Sequence, residues 1–183
     1  MNFIKTELDG VVIIEPKVFG DNRGYFFEAY NKNVFKQAGI DCDFVQDNQS
    51  FSSQGTIRGL HCQLGEWAQA KLVRVFSGKV IDVAVDFRKN SATFGKYVAV
   101  ELSAENKRQL FIPRGFLHGF SVLSNTAEFF YKCDNFWNKE AEFGVRFDDP
   151  DLNINWQIDL SDVEMSEKDK NLSWFKDAVN YGF

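Results

Sequence analysis

The sequence is poor in residues that bridge, ligate or interrupt a chain: 183 residues include 3 cysteines, 2 histidines, 3 prolines and 2 methionines. Cys42, Cys62 and Cys133 are odd in number and show no metal-type or disulfide-framework spacing. This excludes a disulfide-stapled scaffold and fits buried thiols in a reducing cytoplasm. A metal site asks for three or four converging His, Cys or carboxylate ligands. His61 and His118, with Gln63 where a second ligand would stand, do not supply them. We therefore expect no metal and no cofactor. No apolar run approaches membrane-spanning length, and the opening "MNFIKTELDG" lacks the apolar core of a signal peptide. The expected setting is soluble and cytoplasmic, without a membrane partner. A strong excess of one charge is also missing: 21 Lys and Arg against 26 Asp and Glu, interspersed, give a net charge of -5. Nothing marks a nucleic-acid partner, and an anionic ligand would need a local basic cluster that the global charge hides.

Apolar and aromatic residues are plentiful: 44% of the chain is hydrophobic and 16% aromatic, with 20 Phe. That suffices for a sizeable core in one domain spanning residues 1–183. Short runs rich in Val, Ile and Phe recur between turn signals, the pattern of a sandwich or barrel. "VVIIEP", "GYFFEAY", "DFVQDNQSF", "TIRGLHCQ", "AKLVRVFSG", "KVIDVAVDF", "KYVAVELS", "QLFIP", "GFSVLS" and "AEFFYKC" read as strands. "NKNVFKQAG" reads as a short helix capped by Asn31 and ended at Gly39. In "KVIDVAVDF", Asp82, Ala84 and Asp86 share one face; Ile81, Val83, Val85 and Phe87 share the other. The polar end, "LSDVEMSEKDKNLSWFKDAV", looks helical or irregular. The expected fold class is all-β, a jelly roll or barrel with a small helical C-terminal appendage.

The stretch "RGLHCQLGEWAQAKLVRV" carries polar residues within an apolar strand pattern. Simple alternation puts Gly59, His61 and Gln63 on one side, and Arg58, Leu60 and Cys62 on the other. A lone histidine is more often a packed, hydrogen-bonded residue than a catalyst, but the company of Arg58, Gln63 and Lys71 raises the case for a site. Lys71 is either a solvated surface residue or, pointing inward, a stabiliser of negative charge created by a base. His118, in "IPRGFLHGF", is either a structural histidine bonded to a carboxylate such as Asp82 or a ligand contact. Tyr131 is either core packing or a phenolic proton donor. Asp169, in "SEKDK", matters only if the tail folds back to orient His61. Cys62 makes a poor nucleophile with His61, because neighbouring strand residues point to opposite faces.

Taken together, the motifs "DNRGYFFE", "FVQDNQS", "RGLHCQ", "QAKLVRV", "GKVIDVAVDFRKNSATFGK", "IPRGFLHGF", "AEFFYKC", "FDDPDLNINW" and "SEKD" resemble the dTDP-4-dehydrorhamnose 3,5-epimerase family of the cupin superfamily. The resemblance covers nearly the whole chain. It implies a metal-free cupin jelly roll, a homodimer and a nucleotide-sugar substrate, dTDP-4-dehydro-6-deoxy-D-glucose, inverted on both sides of its ketone. By position it makes His61 the base, Asp169 its orienting partner, Tyr131 the acid on the opposite face and Lys71 the enolate stabiliser. His118 would contact the sugar. Arg23, Glu28, Gln46, Asn48 and Arg58 would bind the nucleotide and its diphosphate; Glu142 and Lys168 would be further ligand contacts. Because alternation turns Arg58 away from His61, we expect Gly59 to mark a bend or bulge. Three positions depart from the family pattern: Cys62 and Phe136 stand where tyrosine is frequent, and Gln157 where proline is. The rival readings are a mono-epimerase or 3,4-ketoisomerase on the same sugar nucleotide, a non-catalytic sugar-nucleotide-binding cupin, and a metal-dependent cupin oxygenase.

Overall fold

A computed structural model describes residues 1–183, the side chain of Asp162 excepted. The chain forms strands β1 (Asn2–Lys5), β2 (Val12–Glu15), β3 (Phe19–Asp21), β4 (Gly24–Phe26), β5 (Gln46–Ser53), β6 (Ile57–Gln63) and β7 (Lys71–Ser77), many of them rich in β-branched or aromatic residues. They continue as β8 (Lys79–Asp86), β9 (Tyr97–Ser103), β10 (Gln109–Ile112), β11 (Phe116–Val122), β12 (Thr126–Cys133) and β13 (Glu142–Gly144). A six-stranded sheet runs β1-β2-β10-β7-β12-β5, and a five-stranded sheet runs β13-β6-β11-β8-β9. β3 and β4 make a separate hairpin. The mostly-β, cupin-like architecture matches the sequence expectation.

The core fills three layers. Between the sheets lie Val73, Val75, Val80, Ala84, Phe120 and Phe129. On the outer face of the five-stranded sheet, Leu60, Ile81, Val83, Val85 and Leu117 pack against the C-terminal segment through Phe147, Trp156 and Phe175. β8 is therefore buried on both faces, and its two residue sets divide between these layers as alternation requires. A third cluster, with Ile14, Phe35 and Phe111, packs the first helix, α1 (Lys32–Gln37), against the other sheet. Asn31 caps α1 by accepting from the N–H groups of Asn33 and Val34, and Gly39, at φ +88°, ends it.

The C-terminal segment holds two short helices, α2 (Glu167–Lys170) and α3 (Phe175–Ala178). Some expected boundaries shift. Of "GYFFEAY" only Gly24–Phe26 pairs, because its partner β3 is three residues long. "DFVQDNQSF" begins to pair at Gln46, and the strand containing "GFSVLS" starts earlier, at Phe116. β1, β3 and β13 were not anticipated; strands of three or four residues carry too little alternation to register.

One irregularity positions the site. β11 pairs His118 with His61 but Phe120 with Arg58, so Gly119 stands opposite two residues, Gly59 and Leu60. This bulge shifts the face that Arg58 presents. Gly59, at φ +122°, permits it: a Cβ there would lie 2.6 Å from Gly119 Cα and 2.7 Å from His118 O.

Candidate active site

A cleft of about 680 Å³ opens between the two sheets. Arg58 and His61 on β6 and His118 on β11 enter it from the five-stranded sheet, and Asn48 on β5, Lys71 on β7 and Tyr131 on β12 from the six-stranded sheet. Lys71 shares the inward face of β7 with Val73 and Val75, so the row is apolar in the core and cationic at the cleft. Glu164, Met165, Ser166, Lys168 and Asp169 wall one side from the C-terminal segment.

Asp169 Oδ1 lies 2.7 Å from His61 Nε2. Ser166 caps α2, its Oγ accepting from the Asp169 N–H at 3.1 Å. The sequence Ser166-Glu167-Lys168-Asp169 has capping-box spacing, but the carboxylate turns to His61 rather than back to the cap. Burial alone would raise the Asp169 pKa. Hydrogen bonds from His61, Ser166 and the Gly59 N–H outweigh it and hold the carboxyl below its usual range. Asp169 is thus ionised and suited to accept an Nε2–H from His61, the tautomer that places the ring's lone pair on Nδ1.

His118 stands beside His61 on the paired strand and places Nε2 2.9 Å from Asp82 Oδ2. Burial lowers the imidazole pKa against the pull of Asp82, and burial raises the Asp82 carboxyl against the pull of His118. His118 is therefore a neutral, fixed ring that can hydrogen-bond a ligand without adding charge. Across the cleft, burial pushes the Tyr131 phenol up to about 12, so it carries its proton at neutral pH. The Lys71 ammonium lies 5.7 Å from the centroid of the Tyr131 ring, and its charge reaches both His118 and Asp82.

Arg58 is held from the opposite sheet: Nε donates to Ser52 Oγ on β5 at 3.0 Å and Nη2 to Phe51 O at 3.3 Å. The bulge brings it to the same cleft as His61, as a bend at Gly59 requires. Asn48 accepts from Gln46 Nε2 at 3.1 Å, while Gln46 Oε1 accepts from the Trp137 N–H at 3.0 Å, just behind the cleft. Lys168, on the cleft wall, donates to Glu142 Oε2 at 2.5 Å.

Other residues fall elsewhere. Gln63 is a brace, donating to Trp67 O and Phe136 O and accepting from the Asn138 N–H. Arg23 sits on the β3–β4 hairpin and pairs with Asp21 at 2.6 Å. Glu28 accepts from Asn31. Neither lines the cleft of its own chain. Cys62 faces the outer core, away from His61, and burial pushes its thiol up to about 12. Cys42 is only partly buried, against the expectation for all three thiols. Among the described residues, no group of three or more His, Cys, Asp or Glu side chains could hold a metal ion. Sequence reasoning missed Ser52 and Ser166; the capping-box spacing would have flagged Ser166, and nothing local flags Ser52.

The family model of dTDP-4-dehydrorhamnose 3,5-epimerase matches residues 5–177. A dTDP-4-dehydrorhamnose 3,5-epimerase from Shigella flexneri is 56% identical over 179 residues, covering 97% of this chain and 98% of that one. The crystal structure of the enzyme of that name from Elizabethkingia anophelis NUHP1 superposes with a TM-score of 0.93 at 57% identity, covering 97% of each chain. That of a dTDP-6-deoxy-D-glucose-3,5-epimerase from Legionella pneumophila, in complex with dTDP-4-keto-L-rhamnose, gives 0.92 at 47% identity, over 96% of this chain and 93% of that one. Motif order, fold, cleft and likeness along nearly the full length agree: the chain belongs to the dTDP-4-dehydrorhamnose 3,5-epimerase family.

Proposed function

We propose that the chain is a dTDP-4-dehydrorhamnose 3,5-epimerase in which His61 and Tyr131 work from opposite sides of the sugar. The supporting observation is geometric: a histidine–carboxylate dyad and a protonated phenol enter one cleft from opposite sheets. Inversion at carbon needs a proton removed from one face and returned to the other.

In this reading the substrate is dTDP-4-dehydro-6-deoxy-D-glucose. Its hydrogens at C3 and C5 flank the 4-ketone and are weakly acidic. His61 Nδ1 takes one of them, and Asp169 stabilises the imidazolium that forms. The C–H electron pair moves into an enolate whose oxygen is stabilised by the Lys71 ammonium, while His118 contacts the sugar. Tyr131 then gives its proton to the opposite face of the same carbon. A phenol with a pKa near 12 leaves a phenolate basic enough to recover a proton before the next cycle. Once solvent has taken the proton from His61 and returned one to Tyr131, repetition at the second carbon gives dTDP-4-dehydro-L-rhamnose. Protons and electrons balance without an external oxidant or reductant.

Arg58 and Asn48 would hold the diphosphate and nucleotide, the guanidinium fork suiting phosphate oxygens. We place Arg23 and Glu28 in the same task through a second copy of the chain. Phe19, Tyr25 and Phe26 on the hairpin that carries Arg23 are 54%, 63% and 70% exposed, an apolar surface that a homodimer would cover. We read residues 1–183 as one domain, and the three free thiols as suited to a reducing cytoplasm.

The test is Tyr131→Phe in heavy water. The base should still exchange substrate hydrogen for deuterium, while configuration is retained and no L-sugar forms. Inversion surviving in this variant would remove Tyr131 from the proposed role.

A further inference from the structure

The segment that delivers Asp169 belongs to neither sheet, so other contacts fix it relative to His61. α2 has four residues, too few to hold its shape unaided. Ser166 closes its first turn; Lys168 O and Asp169 O accept from the Asn171 and Leu172 N–H groups, and the carbonyls past them need partners from outside the segment. Arg146 reaches one of them: Nη1 donates to Lys170 O at 2.9 Å. The same guanidinium forks onto Asp148 through bonds of 2.9 and 2.8 Å and lies 4.4 Å over the Trp174 ring. The Arg146 N–H donates to Ser173 O at 3.0 Å, and Asp149 Oδ2 accepts from the Phe175 N–H at 2.7 Å.

The other edge of this segment is fastened to the strand of the base. Gly144 pairs with His61 across β13 and β6. Leu60 and Val145 exchange both backbone hydrogen bonds, at 3.2 and 3.0 Å. Residues 144–149 therefore tie the strand of His61 to the helix of Asp169, while Arg146 itself stays outside the cleft.

We propose that Arg146 is a positioning residue for the base: by holding the C-terminal end of α2 it seats Asp169 against His61. The inference rests on the reading of His61 and Asp169 as the base dyad. It also explains why Asp148 and Asp149, which open "FDDPDLNINW" but do not line the cleft, are placed where they are. Their partners are the guanidinium and the chain just beyond α2.

A double-mutant cycle on the full-length protein tests this. Arg146→Met should lower kcat about ten- to a hundredfold, the scale of a misplaced catalytic group. KM should stay within about twofold, since Arg58 and Asn48, assigned to the diphosphate and nucleotide, lie on β6 and β5. The hydrogen-bonded Nε2–H resonance of His61 should weaken or vanish in the proton NMR spectrum. In an Asp169→Asn background the same substitution should change kcat by less than about twofold, because residues acting as one unit are not additive. Arg146→Lys should restore little, since an ammonium lacks the fork that bonds Asp148 and Lys170 together. If Arg146→Met does not fold by circular dichroism, Asp148→Asn takes its place in the cycle with the same expectation. Equal losses in both backgrounds, or a loss carried by KM, would overturn the positioning role. A wild-type protein that exchanges no substrate hydrogen at all would overturn the base dyad itself, and this proposal with it.

Discussion

At the scale of the residue, His61 and Arg58 share a cleft but not a task. Removing the proposed base with His61→Ala should lower kcat by at least about a hundredfold, the lower end of what a positioned base contributes. The affinity for dTDP, measured by calorimetry, should barely change; retained turnover would end the base assignment. Arg58→Ala should instead weaken dTDP binding about tenfold or more, the loss of a charge-assisted contact to the diphosphate. An unchanged affinity would contradict it. Away from the cleft, Asp86 gives a pH prediction. Burial alone would raise its pKa, but hydrogen bonds from Arg88, Ser91 and Thr93 hold the fully buried carboxyl down to about 2. A depressed folded-state pKa adds stability above the unfolded value, near 3.8, and loses it as pH falls through about 2. Asp86→Asn should therefore cost about 2 kcal/mol at neutral pH in urea unfolding, and the gap should shrink toward pH 2.

At the scale of the element, the bulge in β6 determines whether Arg58 and His61 meet. A side chain at Gly59 would combine a positive φ with backbone contacts below 3 Å. Gly59→Ala should lower the unfolding free energy by about 3 kcal/mol and weaken dTDP binding by turning Arg58 away. A variant as stable and as tight-binding as the wild type would show that the bulge is not needed. This element also marks what could be read in advance. The two residue sets of β8 and the Asn31 and Gly39 ends of α1 follow from local spacing and are legible in the sequence, whereas Asp82 could be named only as a candidate partner of His118 on another strand. A bend at Gly59 could be inferred from the chemistry but not from the pattern, because it depends on Gly119 of another strand approaching closely. The clamp of Arg146 on α2 joins segments whose spacing carries no period, and nothing local announces it.

At the scale of the whole molecule, the jelly roll brings the proposed base, His61, and the proposed acid, Tyr131, to one cleft from different sheets. The exposed hairpin carrying Arg23 suggests that the finished site belongs to two chains. Sedimentation should give a mass twice that of the chain, and Arg23→Ala should weaken dTDP binding although Arg23 lies outside the cleft of its own chain. A monomer with normal affinity would contradict this. Such positions could be assigned by resemblance only, since one chain's spacing says nothing of a second copy. The most direct test of the account is proton NMR of dTDP-4-dehydro-6-deoxy-D-glucose incubated with the wild-type protein in heavy water. The account predicts deuterium at both C3 and C5, with formation of the L-sugar. Label at one position only, or binding without label, would contradict it.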